Sequence, residues 1–205
     1  LVGTEGTVVT MLRTRVRLVP LEPAPALVAL GYPSMAEAAD AVPALLRHRP
    51  LAIEGIDARL VEVVRRAKGP DAVPELPAGR GWMLVEVGGP DQESALAAAR
   101  ELAASAGTSA VRILPSGPEA AALWRIREDG AGLAGRTPSG RQAWPGWEDA
   151  AVPPERLGAY LRSFERDVQA HVDAAVAEVP VGQALDAVLR HELLERAQVG
   201  AQPLR

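Results

Sequence analysis

The sequence predicts an α+β protein in which an antiparallel sheet carries its helices on one face. Two strand–helix–strand units of similar size follow one another, and each is followed by a further helix. The predicted strands are short and half polar, whereas the strands of a parallel sheet are covered on both faces and are more uniformly apolar. A ferredoxin-like antiparallel sheet is therefore favoured over a parallel doubly wound one.

The first unit begins with the apolar segment ALVALGYP at 26–33, which predicts a buried strand. SMAE at 34–37 matches a capping box, in which the Ser34 hydroxyl accepts an amide hydrogen bond and Glu37 reaches back. A helix, a strand and a further helix are predicted next, over 35–47, 50–56 and 57–67.

The second unit repeats this order. WMLVEVGG at 82–89 predicts a strand, and an Ala-rich helix follows with Asp91 as its cap and Gly107 beyond its end. SAVRILP at 109–115 predicts the next strand. The helix after it, from residue 119, weakens where its glycines begin.

Further elements are predicted on both sides of the two units. VVTMLRTRVRLV at 8–19 alternates apolar residues with arginines in its second half, which predicts a strand with one wet face. The proline-rich PLEPAP that follows predicts a stiff connector. A strand over 148–153 and two C-terminal helices, the first starting near Pro154, complete the prediction.

Composition excludes several classes of function. The 205 residues carry a formal net charge of −4, and the arginines are interspersed with acids, so the basic surface needed for nucleic acid is missing. Without cysteine, the chain cannot form disulfides, use a thiolate or ligate an iron–sulfur cluster. No apolar run approaches the roughly 18 residues of a membrane span. We expect a cytoplasmic protein whose only membrane association would be peripheral, at the inner face.

LWRIRED at 123–129 places a tryptophan and an arginine on one helix face, because Trp124 and Arg127 are three residues apart. An indole beside a guanidinium can bind a carboxylate, since the guanidinium offers a bidentate fork and the ring excludes water. The same spacing also suits a core tryptophan beside an arginine paired with a surface acid. The residues alone leave both interpretations open.

AWPGWEDAAVP at 143–153 is a turn unusually rich in tryptophan. Such a turn indicates a site, an interface, or a plug over the open end of the sheet.

The histidines have no ligand partners at metal-binding spacing, and no motif of a nucleophile with its base occurs, so neither a metal ligand nor a catalytic residue is assigned. The histidines concerned are His48, His171 and His191.

Taken together, these segments resemble the C-terminal part of FAD-linked oxidases and dehydrogenases of the D-lactate, D-2-hydroxyacid and glycolate oxidase type. The likeness is greatest to the large bacterial form that also carries an iron–sulfur module. It covers about residues 1–170 and is most specific in GTEGTVVTMLRTRVRLVP (3–20) and WPGWEDAAVPPERLGAYL (144–161). It also includes ALVALGYP, PLAIEGIDARLVEVVR, WMLVEVGG and LWRIREDGAG.

The resemblance implies FAD as the cofactor. In this family a Gly-Ser/Thr-Glu-Gly-Thr segment closes the flavin-binding domain, and its backbone lies against the flavin. A pair of glycines permits the close approach that a planar cofactor needs. The matching cofactor-binding residues here are Gly3, Thr4, Glu5, Gly6 and Thr7.

The resemblance also implies a site for a small 2-hydroxy acid. The arginine of the family's Trp-x-x-Arg helix binds the substrate carboxylate, and it corresponds to Arg127. The strand before the helix that starts near Pro154 lines the site in the family. This adds Trp147 and Asp149 as substrate-binding residues.

The chain departs from the family pattern at both ends. The flavin domain that precedes the glycine-rich turn in the family is not present, and no Gly-His-x-Gly-Asp-Gly strand follows the helix matching 154–170. His191 does not match that motif. We therefore expect residues 1–20 to end a flavin domain, residues 21–170 to form the substrate (cap) domain, and residues 171–205 to form a divergent helical tail.

These expectations define a fragment of an FAD-dependent enzyme that oxidises a 2-hydroxy acid by hydride transfer to flavin. We expect it to be inactive alone and to require the missing flavin domain or a flavin subunit, with an iron–sulfur module as electron acceptor by resemblance. The alternative is a non-catalytic ferredoxin-like interaction module, or the partner of a separate flavin subunit.

Overall fold

The protein is described by a computed structural model over residues 6–133 and 151–177. Strands and helices alternate along the chain, as both predicted units require. They are β1 (Ala24–Tyr32), α1 (Met35–Leu46), β2 (Ala52–Asp57), α2 (Ala58–Lys68), β3 (Gly81–Gly89), α3 (Gln92–Ala104), β4 (Val111–Pro115), α4 (Pro118–Leu133) and α5 (Pro154–Ala177). A short 3₁₀ turn at Pro70–Ala72 follows α2.

The four strands form one antiparallel sheet in the order β2-β3-β1-β4. This is the ferredoxin-like order, in which each strand–helix–strand unit contributes one central and one edge strand. Val28 marks the centre of the register, opposite Val85 of β3 on one side and Ile113 of β4 on the other. The predicted α+β class and antiparallel sheet are confirmed.

Helices cover both faces of this sheet. Helices α1 and α3 lie on one face, as expected, but α2 and α4 lie on the other, so the expectation of helices on one face is incomplete. On the first face, β1 and β3 residues such as Val28 and Val85 pack with α1 and α3. On the second, Leu84 packs with Val64 of α2 and Leu123 of α4. The physical reason is that β1 and β3 are apolar on both sides and must be buried on both.

Local capping signals place the helix starts. The Ser34 hydroxyl accepts from the Glu37 amide at 3.2 Å, which confirms Ser34 as the N-cap, and it donates to the Glu37 carboxylate at 3.1 Å, so Glu37 reaches back to the hydroxyl. Asp91 accepts from the Ser94 amide at 2.7 Å and starts α3 as predicted. An analogous cap from Asp57 to the Leu60 amide starts α2 directly after β2.

The predicted strand over 8–19 is wrong. These residues have no regular structure and are exposed along their whole length. Alternation made a strand plausible, but a strand needs a hydrogen-bonded neighbour, and this segment pairs with none of the four described strands. Of the predicted strand over 148–153, residues 151–153 have no strand structure and the others lie outside the described residues.

Helix α5 packs on α1, on the side of α1 away from the sheet. Arg162 of α5 donates to both carboxylate oxygens of Asp40 of α1, at 2.7 and 3.2 Å. This pairing holds the pKa of Asp40 below its usual range.

The second predicted C-terminal helix lies outside the described residues, and among those described no helix is both long and apolar enough to cross a membrane.

Candidate functional site

Helix α4 carries Trp124 and Arg127 over the second face of the sheet. Leu123 and Ile126 of the same helix are completely buried in the core between α4, α2 and the sheet. Because these two neighbours fix the helix rotation, Trp124 and Arg127 lie along one flank of α4, as their spacing predicts. Gly130 packs directly against Leu60 of α2, which keeps the two helices close.

Two acids of the sheet lie beneath this flank. Glu54 of β2 pairs opposite Leu84 of β3, and Ala52 pairs opposite Glu86. Leu84 and Glu86 are two residues apart in one strand, so Glu54 and Glu86 belong to the same face of the sheet. This face is the one on which α4 packs, as the burial of Leu84 against Leu123 demonstrates.

Arg127 forms an ion pair with Glu54. The distance between Arg127 Nε and Glu54 Oε1 is 2.8 Å, and the two side chains are 57% and 34% exposed. The sequence left open whether Arg127 pairs with a surface acid or binds a carboxylate from outside. The structure provides the acid, and it also leaves more than half of the arginine side chain accessible to a ligand.

Trp124 is held by the second acid. Its indole Nε1 donates to Glu86 Oε2 at 3.1 Å, and its ring packs at the edge of the core of the second face. Trp124 and Glu86 line a small cleft of about 180 Å³, together with Leu27 and the Ser116–Gly117 turn. Arg127 does not line this cleft, so the arrangement does not enclose a carboxylate between the indole and the guanidinium.

A second depression, of about 420 Å³, lies between α2 and the loop before β3. Trp82 contributes to its wall and donates its indole N–H to the backbone oxygen of Pro77 at 2.8 Å. Arg65 and Glu75 lie at its rim. Of the predicted substrate and cofactor residues that the structure describes, which are Arg127, Gly6 and Thr7, none lines it.

Two residues of the predicted flavin-contact turn are described, and three are not. Gly6 and Thr7 are exposed, and Gly6 has φ +72°, a conformation that glycine adopts without strain. A Cβ added at Gly6 would meet nothing within 4 Å, so a planar group could approach this backbone closely. The flavin contact of this turn stays a prediction, and Gly3, Thr4 and Glu5 lie outside the described residues.

The remaining predicted residues cannot be placed against this site. Trp147 and Asp149 lie outside the described residues, and so does His191. His48 contacts the Ser105 hydroxyl at 2.9 Å, and His171 is exposed on α5. Across 6–133 and 151–177, no group of three or more acids or histidines could hold a metal ion.

The acids Glu54 and Glu86 are the residues that sequence reasoning missed. Each is a single charged residue inside an otherwise apolar strand, in PLAIEGI and WMLVEVGG. Where a helix covers the strand, a charged residue of this kind needs a polar partner. A lone acid in an apolar strand was therefore the signal in the sequence for such a pair. The partner itself depends on the pairing of β2 with β3 and on the position of α4, which adjacent residues do not determine.

Comparison of the sequence with known proteins identifies the family of this chain. Residues 21–194 match the family described as FAD linked oxidases, C-terminal domain. The chain is 29% identical over 201 residues to a D-2-hydroxyglutarate dehydrogenase of Pseudomonas putida, and 26% identical over 203 residues to one of Escherichia coli. Each alignment covers 87% of this chain and only 20% of the relative. The chain belongs to the family of FAD-linked oxidase C-terminal domains.

Proposed function

We propose that this chain is the substrate-binding domain of an FAD-dependent oxidoreductase that oxidises a 2-hydroxy acid of the D-lactate, glycolate or 2-hydroxyglutarate class. The observation that carries the proposal is the family match over 21–194, joined to two relatives that are both D-2-hydroxyglutarate dehydrogenases. The chain spans 20% of the length of these relatives. Activity, substrate and partners of a whole enzyme are therefore proposed by analogy with proteins about five times as long.

Arg127 is the proposed carboxylate ligand. A guanidinium can bind a carboxylate through two parallel hydrogen bonds. Its 57% exposure supports access for a ligand, and its contact with Glu54 through Nε supports a defined orientation. Since the site is open, we propose that a flavin-bearing domain or subunit closes over it and excludes water.

FAD, when bound, would supply the acceptor for the hydride that leaves the substrate C2 carbon. The task of this chain would be to hold the substrate carboxylate at Arg127 and thereby orient C2. Gly6 and Thr7 are the described residues that fit a contact with the cofactor, and Gly3, Thr4 and Glu5 extend the same proposed turn. Trp147 and Asp149 are proposed as further contacts to the substrate, and an iron–sulfur module as the acceptor of its electrons.

A titration tests the role of Arg127. The purified chain is titrated with D-2-hydroxyglutarate, D-lactate and glycolate, and binding is followed by calorimetry. Arg127→Ala should weaken binding of the preferred acid by about 2 kcal/mol, because a charge-assisted hydrogen-bonded pair is lost. Arg162→Ala is the matched control, since it removes an exposed, ion-paired arginine on α5, away from α4.

The two variants must differ for the proposal to stand. If Arg127→Ala binds every acid as tightly as the unmodified chain, Arg127 is only the partner of Glu54. If both arginine variants weaken binding equally, the effect comes from net charge or stability and not from this site. Discrimination among the three acids would identify the substrate class.

A second candidate function is a non-catalytic interaction module. The supporting observation is the exposed segment 8–21, in which large apolar residues are unburied, with Leu12 and Leu21 each 92% exposed. A group of exposed large apolar residues, here interleaved with arginines, can mark an interaction surface. A chain that forms a stable complex with a flavin-binding subunit, while that complex binds none of the three acids, would favour this function over the first.

A further inference from the structure

We infer that Glu54 is a positioning residue for Arg127, one that sets the direction in which the guanidinium meets a substrate carboxylate. The inference rests on the proposed function of Arg127 and adds a residue that neither the family match nor the relatives assign. The juxtaposition that carries it is Glu54 Oε1 at 2.8 Å from Arg127 Nε.

The atom contacted on Arg127 is important. Nε is next to the aliphatic stem, whereas the two terminal nitrogens are at the far end of the planar group. A carboxylate held at Nε restrains the last torsions of the side chain and so the plane of the guanidinium. An arginine without such a restraint has many rotamers, and binding has to select one of them.

Both ends of the contact lie on rigid elements. Glu54 lies within β2, paired opposite Leu84 of the central strand β3. Arg127 follows directly after Ile126, which is completely buried and fixes α4 on the sheet. A site built on a strand and a helix is held more precisely than one built on loops. The pair can therefore act as a fixed reference for the guanidinium.

Glu54 could also have the opposite effect, because its charge repels a substrate carboxylate. At about 7 Å this repulsion weakens binding by about threefold at the dielectric constant of water, and by more at the value of about 20 typical of a protein surface, before screening by salt. Loss of orientation for a flexible side chain weakens binding by about threefold to tenfold. The two effects oppose each other in Glu54→Ala, so the positioning effect has to be measured against a variant that lacks the same charge.

Two substitutions separate these effects. Glu54→Ala removes both the charge and the acceptor, whereas Glu54→Gln removes the charge but keeps an amide oxygen that can accept from Nε. In titrations of the purified chain with D-2-hydroxyglutarate at about 0.15 M salt, Glu54→Ala should bind about threefold to tenfold more weakly than Glu54→Gln, because both lack the charge and only alanine lacks the acceptor. Glu54→Gln should bind at least as tightly as the unmodified chain, because orientation is kept and repulsion is removed.

The control is Glu119→Ala. Glu119 also belongs to α4 and also pairs with an arginine, Arg112, at 2.8 Å. It is 69% exposed and lies two turns before Arg127, so its removal changes the charge of the helix without touching the Arg127–Glu54 contact. Binding of D-2-hydroxyglutarate should be unchanged in this variant.

A spectroscopic measurement tests positioning without any ligand. In a ¹⁵N–¹H correlation spectrum, the Nε–H signal of Arg127, assigned by its disappearance in Arg127→Lys, should be shifted from those of arginines without an ion pair. Glu54→Gln should keep it distinct, and Glu54→Ala should move it among those signals. An unchanged signal in Glu54→Ala would overturn the inference.

The binding titration tests the proposed function, and the Nε–H spectrum tests the positioning role without any ligand. If the unmodified chain binds none of the acids, the proposed function fails, while the Nε–H signal still reports whether Glu54 holds Arg127. If the unmodified chain binds D-2-hydroxyglutarate and Glu54→Ala binds it as tightly as Glu54→Gln does, the proposed function survives and the positioning role is rejected.

Discussion

Gly158 of α5 lies directly against Asp40 of α1. A Cβ at Gly158 would overlap the Asp40 carboxylate and lie 2.7 Å from the backbone oxygen of Ala36. Arg162, one turn further along α5, binds both oxygens of the same carboxylate. The absence of a side chain at Gly158 therefore allows α5 to approach α1 closely enough for this ion pair to form.

Gly158→Ala should destabilise the protein, although alanine is the better helix former. Asp40 can swing away, but the backbone oxygen of Ala36 cannot, so the helices must separate at an overpacking cost of about 1–3 kcal/mol. That cost outweighs the gain in helix propensity of about 1 kcal/mol. The free energy of unfolding in urea measures the balance.

Gly132→Ala is the matched control for this measurement. Gly132 is helical in α4, and a Cβ there would meet nothing within 4 Å. It should therefore gain up to about 1 kcal/mol from helix propensity alone. Equal stabilisation by both substitutions would mean that α5 does not pack on α1 through Gly158.

Tyr32 connects the sheet to the segment after α3. Its ionisation should make the free energy of unfolding depend on pH in the alkaline range. Its hydroxyl donates to the backbone oxygen of Ala106 at 2.9 Å, and burial raises its pKa to about 12. Because the unfolded tyrosine ionises near pH 10, the contribution of Tyr32 is complete below that pH and declines towards pH 12. Over this window the free energy of unfolding should fall by up to about 1.4 kcal/mol per pH unit.

Tyr32→Phe should remove this pH dependence and cost about 1–2 kcal/mol at neutral pH, since the Ala106 oxygen loses its donor. Tyr160→Phe is the control, because Tyr160 is only partly buried on α5 and its stacking on Phe164 at 6.3 Å does not need the hydroxyl. Urea unfolding at neutral and alkaline pH compares the two. An identical alkaline decline in Tyr32→Phe would show that another group causes it.

The features that depend on near neighbours were predictable from the sequence. Caps at Ser34 and Asp91 join residues three apart, and the alternation of strands with helices follows from local apolar patterns. The ferredoxin-like sheet was predictable because two such units have few economical ways to pair. The pair Trp124 and Arg127 was predictable because helical spacing alone brings them to one flank.

The features that depend on distant partners were not predictable. Residues 8–19 have a strand pattern but pair with none of the four described strands, and alternation does not determine the partner. The covering of the second face by α2 and α4 depends on the packing of Leu84 and Leu123 in one core, and these residues are far apart in the sequence. The acids Glu54 and Glu86 came together through the register of β2 with β3, which no local pattern encodes.

Trp124→Phe distinguishes the two interpretations of the tryptophan that the sequence left open. The indole N–H is committed to Glu86 Oε2 at 3.1 Å, and the cleft beside it does not include Arg127. We therefore expect Trp124 to anchor α4 on the sheet and not to form a shelf for substrate. Phenylalanine keeps most of the ring contact but removes the hydrogen bond to a partly exposed carboxylate, which should cost about 1–2 kcal/mol in urea unfolding.

Binding of D-2-hydroxyglutarate by Trp124→Phe should stay within about twofold of the unmodified chain, because Arg127 keeps its contact with Glu54. Trp82→Phe is the matched comparison. It removes an indole hydrogen bond to Pro77 on the same face of the sheet, but beside the other depression. Both variants should lose stability and keep their affinity. A loss of affinity in Trp124→Phe alone, as large as that in Arg127→Ala, would instead make the indole part of the carboxylate site.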